Sequence, residues 1–153
     1  MYLNPFPHNW KKTFYIFHHK VCGDFNARTG GLIDYMQNDH TKDNFESCPL
    51  PIDYIPDIPL NRNQLDSKSN LHGTLLTNIC KSCQMRIVNG RFLGDSLGYY
   101  TFFNANGKGT VDYMIVSQDL FYSVISFMMN APSYLSDHCM IEINLWLYNK
   151  FRN

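Results

Sequence analysis

Asp24, Asp112, Asp137 and His138 have the types and neighbours that acid, base and metal chemistry uses. Asp24 lies in Val21-Cys22-Gly23-Asp24-Phe25-Asn26-Ala27-Arg28, where an acid, an amide and a cation fall on alternate residues. In extended backbone alternate side chains share a face. Asp24, Asn26 and Arg28 are therefore expected on one side, with Phe25 and Ala27 on the other. Gly23 lets the chain turn away and a ligand come near. An open α/β sheet presents chemistry in this way, at the carboxyl end of a strand. Asp112 interrupts an apolar run, Val111 to Val116, where a carboxylate is costly unless paired or facing a polar cleft. His138 is its natural partner, because a carboxylate fixes an imidazole's tautomer and orientation. Asp24 and Asp137 suit Mg²⁺, which needs only one or two carboxylates beside substrate phosphate. Each feature also has a plainer explanation: an ordinary turn at Asp24 and Asn26, a structural Asp112–His138 pair, solvated surface acids.

The elements that must hold these groups follow from pattern. Residues 1–13 carry Pro5 and Pro7 and read as an irregular lead-in. An apolar run from Tyr15 to Val21 reads as a strand arriving from the core. Residues 38–70 are polar, with Pro49, Pro51, Pro56 and Pro59 too close together for helix or central strand, and are expected as a long surface loop. Asn70 or Thr74 caps a helix to about Met85, with Leu75, Leu76, Ile79, Cys80 and Cys83 on one stripe. Arg86 to Gly90 reads as a short strand. Tyr99–Asn104 and Thr110–Ser117 are expected as a hairpin joined by the glycine-rich link between them. Gln118–Met129 shows helical spacing of Leu120, Phe121, Val124, Ile125 and Met128. Ile141, Ile143, Leu145 and Leu147 alternate with polar or exposed positions in a last strand. This order predicts a layered α/β domain.

The chain has 153 residues, enough for one core, and 44% of them are hydrophobic, so it is expected to fold. Thirteen basic residues balance thirteen acidic ones, which excludes a strongly basic nucleic-acid coat. Five cysteines are not spaced as a secreted disulfide framework. With no signal peptide and no run of membrane-spanning length, the expectation is an intracellular protein that crosses no membrane. Cys80-x-x-Cys83 lacks a second pair and is expected as core packing, not zinc.

In order along the chain, Gly23-Asp24-Phe25-Asn26-Ala27-Arg28, Val111-Asp112-Tyr113 with Ile115-Val116-Ser117, and Ser136-Asp137-His138-Cys139 resemble the last three signature motifs of the endonuclease/exonuclease/phosphatase superfamily. The surrounding residues, including Arg86-Ile87-Val88-Asn89-Gly90-Arg91 and Thr101-Phe102, are closest to the endonuclease domains of non-LTR retrotransposons. The resemblance implies a layered α/β sandwich over residues 14–153, and a metal-dependent DNA endonuclease. By that resemblance Asp24 positions or deprotonates the attacking water, and Asn26 holds a phosphate oxygen with Arg28 on the substrate side. Asp112 orients His138, and His138 stabilises the pentavalent phosphate or acts as base. Asp137 shares with Asp24 the holding of Mg²⁺, with Mn²⁺ as an alternative ion. The implied partner is DNA, bound weakly and largely without sequence specificity, which places the protein in the nucleus if chromosomal DNA is cut.

One departure from the family pattern is plain. Its metal-binding glutamate precedes the Gly-Asp-Phe-Asn motif, whereas here Asp24 is the first acidic residue. The resemblance therefore implies an incomplete sandwich lacking its amino-terminal strands, which another chain could supply. Three alternatives to the endonuclease follow: a catalytically inactive remnant, a phosphatase of the same superfamily, or a binding module that reuses the fold.

Overall fold

A computed structural model describes residues 19–37 and 56–146. At its centre is a strand whose first five residues are buried, β5 (Asp112–Ser117), with β1 (Lys20–Asp24) and β2 (Met85–Ile87) antiparallel on either side of it. Successive side chains of β5 face opposite ways. Tyr113 and Ile115 pack with Ala27, Leu76, Cys80 and Ile87, while Met114 and Val116 pack with Val88, Leu120, Val124 and Phe127. A strand covered on both faces must be apolar throughout, which is why this run reads Tyr-Met-Ile-Val after Asp112.

The first cluster is closed by α1 (Leu71–Ser82). Asn70 caps it, its Oδ1 accepting from the Gly73 N–H at 2.8 Å. Gly73 lets the helix start against the chain leaving β1, since a Cβ there would lie 1.9 Å from the Arg28 carbonyl oxygen. The buried face is Gly73, Leu76, Thr77 and Cys80. The expected stripe is half right: Leu75, Ile79 and Cys83 are exposed, so only Cys80 of the cysteine pair packs in the core.

Two other expectations change. The hairpin is β3 (Phe102–Asn104) with β4 (Gly107–Gly109), so the glycine-rich stretch forms its second strand and not its loop. Thr110–Ser117 instead runs on into the central sheet. The expected helix Gln118–Met129 stops after one turn, α2 (Gln118–Phe121), and the chain continues as β6 (Val124–Met129), paired antiparallel with β7 (Ile141–Leu145). A bulge between Val124 and Ser126 explains the misleading spacing. The extra residue shifts the inward parity, so Val124 and Phe127 are both buried although three apart. A bulged strand thereby imitates a helical period. β7 alternates as expected, with Ile141, Ile143 and Leu145 packed inward.

The layered α/β sandwich is therefore not what these residues form. They form three small antiparallel sheets and two helices, one of them a single turn. The loss of the second helix to β6 and the antiparallel return of every strand pair leave no helical layer on the β6–β7 side. Of the strand expected over Tyr15–Val21, residues 15–18 lie outside the described residues; β1 is exposed in all five of its residues, at the edge of the central sheet. No helix among the described residues is long and apolar enough to cross a membrane.

Residues 56–70, the described part of the expected surface loop, are held by buried charge. Asp57 pairs with Arg86, both fully buried, and accepts from Gln118 Nε2 at 2.7 Å. Asp66 takes both the Nε and an Nη of Arg28. Outside the loop, Arg91 clasps Asp34 with two bonds of 2.7 Å, and the same carboxylate accepts from the Ile87 N–H at 2.8 Å. Burial alone would push the Asp34 carboxyl up, but Arg91 and the Ile87 N–H hold it below the usual range. Such pairs stabilise chiefly in the sense that breaking them is costly. Asp34→Ala leaves Arg91 and Ile87 without their acceptor and is expected to lose about 3–5 kcal/mol in urea unfolding at neutral pH. Because the folded pKa is depressed, this contribution is present above about pH 3.9 and lost as pH falls through the folded value. The gap between mutant and wild type should therefore narrow in acid.

Candidate active site

Asp112 opens β5, and its main chain is fixed before its carboxylate does anything. Thr101, fully buried just before β3, accepts from the N–H groups of Val111 and Asp112, each at 3.0 Å. Asn89, buried after β2, donates to the Asp112 carbonyl at 3.2 Å and accepts from the Met114 N–H at 3.1 Å. Two uncharged side chains thus hold the strand start in register. The segment carrying His138 is fastened to the same hairpin: the Phe103 N–H donates to the Asp137 carbonyl at 2.8 Å, and the Cys139 N–H to the Thr101 carbonyl at 2.7 Å.

With both backbones fixed, His138 Nδ1 meets the two Asp112 oxygens at 3.1 and 3.0 Å. The carboxylate accepts, so Nδ1 carries the proton and Nε2 is left without a partner among the described residues. Phe102 lies against the imidazole at 4.9 Å between ring centroids. Asp112 is nearly covered while the His138 side chain is 34% exposed, so the ring backs onto the protein and opens to solvent. The hydrogen bond to Asp112 raises the His138 pKa above its ordinary value against a weaker pull from burial, and the charges of Asp112, Asp24 and Asp137 add to the rise.

Asp24 reaches this cluster through the sheet, its Cα directly opposite that of Asp112 in the β1–β5 ladder. Paired residues share a face, so both carboxylates lie on one side. Asp24 Oδ1 accepts from the Asn26 N–H at 2.8 Å, an Asx turn. Asp137 is exposed beside His138.

Asn26 and Arg28 depart from the expected shared face. Asn26 is left-handed, φ +48°, which ends the extended alternation two residues after Asp24. Its carbonyl accepts from Asn70 Nδ2 at 3.0 Å and meets His72 Nδ1 at 3.3 Å, and its side chain stays exposed near Asp24. Arg28 is turned to Asp66 and forms a wall of a neighbouring cleft of about 480 Å³, with Lys68, Tyr100, Phe102 and Lys108. The cleft adjoins the imidazole through Phe102. Arg86 is fully buried and serves Asp57.

Sequence reasoning found the four charged groups and missed the roles of Thr101 and Asn89, which entered only as residues resembling a family. The available signal was their polarity beside apolar runs, Ile87-Val88 before one and Phe102-Phe103 after the other. No three His, Cys, Asp or Glu side chains converge as a metal-holding group among the described residues. A Mg²⁺ ion held by one or two carboxylates and water requires none. Asp24 and Asp137 are both exposed, and the charge of each acts on His138.

No family model, no curated protein and no solved structure matches this chain.

Replacing Asp112 with Asn keeps the main-chain bonds and removes the charge that lifts the imidazole. His138 followed by NMR through its ring protons should titrate at lower pH in Asp112→Asn than in the wild type. An unmoved titration would show that the pair does not act on the ring. Thr101→Val, which frees two buried N–H groups, is expected to cost about 1–3 kcal/mol in stability.

Proposed function

We propose that this chain hydrolyses phosphodiester bonds in DNA with Mg²⁺, in the manner of the endonucleases its motifs resemble. One observation carries the proposal: a carboxylate-oriented imidazole, Asp112–His138, opens to solvent with two further carboxylates, Asp24 and Asp137, acting on it. Phosphoryl transfer asks for this equipment, because the protein's task is to position the water and to stabilise charge on the phosphorus oxygens.

The roles follow from what each group can do. Asp112 holds the proton of His138 on Nδ1 and presents Nε2 outward. The raised pKa keeps more of the ring as imidazolium near neutral pH, suited to stabilising an oxyanion or protonating a leaving oxygen. Asp24 keeps one oxygen for the Asn26 N–H and offers the other to a water. Mg²⁺, when held by Asp24 and Asp137, supplies Lewis-acid stabilisation of a phosphoryl oxygen. The Asn26 amide is on hand for a phosphate oxygen. Arg28 is committed to Asp66, so it shapes the neighbouring cleft and contributes little free charge. Lys68 and Lys108, exposed on that cleft, are cations on hand for a flanking backbone phosphate. Contacts of this kind go to phosphate and read no sequence.

Nicking of supercoiled plasmid by the purified chain tests the proposal. Nicking is expected with Mg²⁺, abolished by EDTA, and lowered at least about a hundredfold in Asp24→Ala and in His138→Ala. Equal nicking by both mutants sinks the proposal, and a folded wild-type chain that never nicks leaves the inactive member of the group as the better description. Since the imidazolium form is favoured by the raised pKa, nicking that depends on it should decline as pH rises through that value.

A further inference from the structure

The two edges of the central sheet are finished differently. At β2 the outward N–H of Ile87 donates to the buried Asp34 carboxylate at 2.8 Å. At β1 no such cap is found among the described residues. Ser117 donates to His19 and Phe25 donates to Val111, so the odd-numbered residues of β1 turn their N–H and C=O groups toward β5. Those of Lys20, Cys22 and Asp24 point away, and none has a main-chain partner on that side among the described residues. All five residues of β1 are exposed, Val21 at 50%. An open strand edge of this kind is a template for another strand.

The side chains of β1 choose the strand. We propose that β1 pairs antiparallel with β1 of a second copy of this chain, about a twofold axis at Cys22. Lys20 then stands opposite Asp24 of the second copy, and by symmetry the same ion pair forms twice. Only even-numbered residues can form the hydrogen-bonded pairs, because they carry the outward N–H and C=O groups. A register moved by one such step sets a charge against Cys22 and shortens the overlap. Parallel pairing sets Lys20 against Lys20 and Asp24 against Asp24, like on like. The full-overlap antiparallel register satisfies every outward group and both charges. It joins the two sheets in the order β2-β5-β1-β1-β5-β2. Leu71, Leu75 and Ile79 are exposed on α1, which covers the same face of the sheet as Val21, and add apolar surface there. Lys20 of the second copy arrives beside Asp24, so each site gains a cation that its own chain does not place there. The inference rests on the ladder and on two charges, not on the proposed catalysis.

Cys22 gives a direct reporter. Directly opposed residues of a hydrogen-bonded pair have Cα atoms about 5.5 Å apart, within disulfide reach. Added diamide would take two electrons and two protons from the two Cys22 thiols, forming the S–S bond and the hydrazine. Sedimentation equilibrium of the full chain should show a concentration-dependent dimer. Lys20→Asp alone, or Asp24→Lys alone, should weaken it about tenfold or more by opposing like charges twice. The double variant Lys20→Asp/Asp24→Lys should restore it, which a folding defect would not. Diamide should link the wild type and the double variant, while Cys22→Ser should dimerise without linking. A wild type monomeric at every concentration, single variants that dimerise as the wild type does, a double variant no better than the singles, or linking that survives Cys22→Ser overturns the proposal.

Discussion

A carboxylate at the mouth of a strand buried on both faces is the constraint to which the rest of this structure answers. Asp112 cannot retreat from the sheet, because Tyr113 and Met114 directly behind it anchor opposite clusters. Its charge must therefore be met where it stands, and His138 meets it. That contact needs two backbones held to a few tenths of an ångström, which is the work of Thr101 and Asn89 on one side and of the hairpin on the other. None of these supports is charged. Neutral donors and acceptors fix the strand, and at the imidazole the carboxylates raise the proton's affinity against a weaker pull from burial.

Elsewhere the molecule does use charge structurally. The Arg86–Asp57 and Arg91–Asp34 pairs are buried, and they join segments far apart in the sequence. Guanidinium suits this role, since its planar fork serves a carboxylate and several carbonyls at once. Arg91 does so, reaching Asp34 together with the Ile87 and Leu60 carbonyls. Among the described residues, Arg86 and Arg91 are thus turned inward and are not surface charges.

The site was more legible in the sequence than the fold. Asp112 and His138 could be paired by chemistry alone, because an acid in an apolar strand demands a partner and few candidates existed. Asp24 was marked by Gly23 before it. Arg28 was misjudged because its acceptor, Asp66, lies 38 residues away in a loop read as surface. The fold was lost at two places where local pattern and tertiary pairing disagree. Ile125 carries the bulge that gave β6 a helical spacing, and the glycines 107 and 109 gave a loop signature to what is a strand. Both are cases in which cross-strand hydrogen bonds, invisible in the string, outweigh propensity.

The two halves of the site are held by tethers of very different length. His138 and Asp112 are 26 residues apart, with the hairpin fastening Asp137 and Cys139 close to one of them. Asp24 comes from the other end of the described chain, on an edge strand with little buried surface of its own. Regions with so little burial open at free energies well below that of global unfolding. The Asp112 carboxylate thus stands on a buried strand, whereas the acid opposite it sits on an exposed edge strand. Opening of β1 alone would take Asp24 away and leave Asp112 and His138 paired.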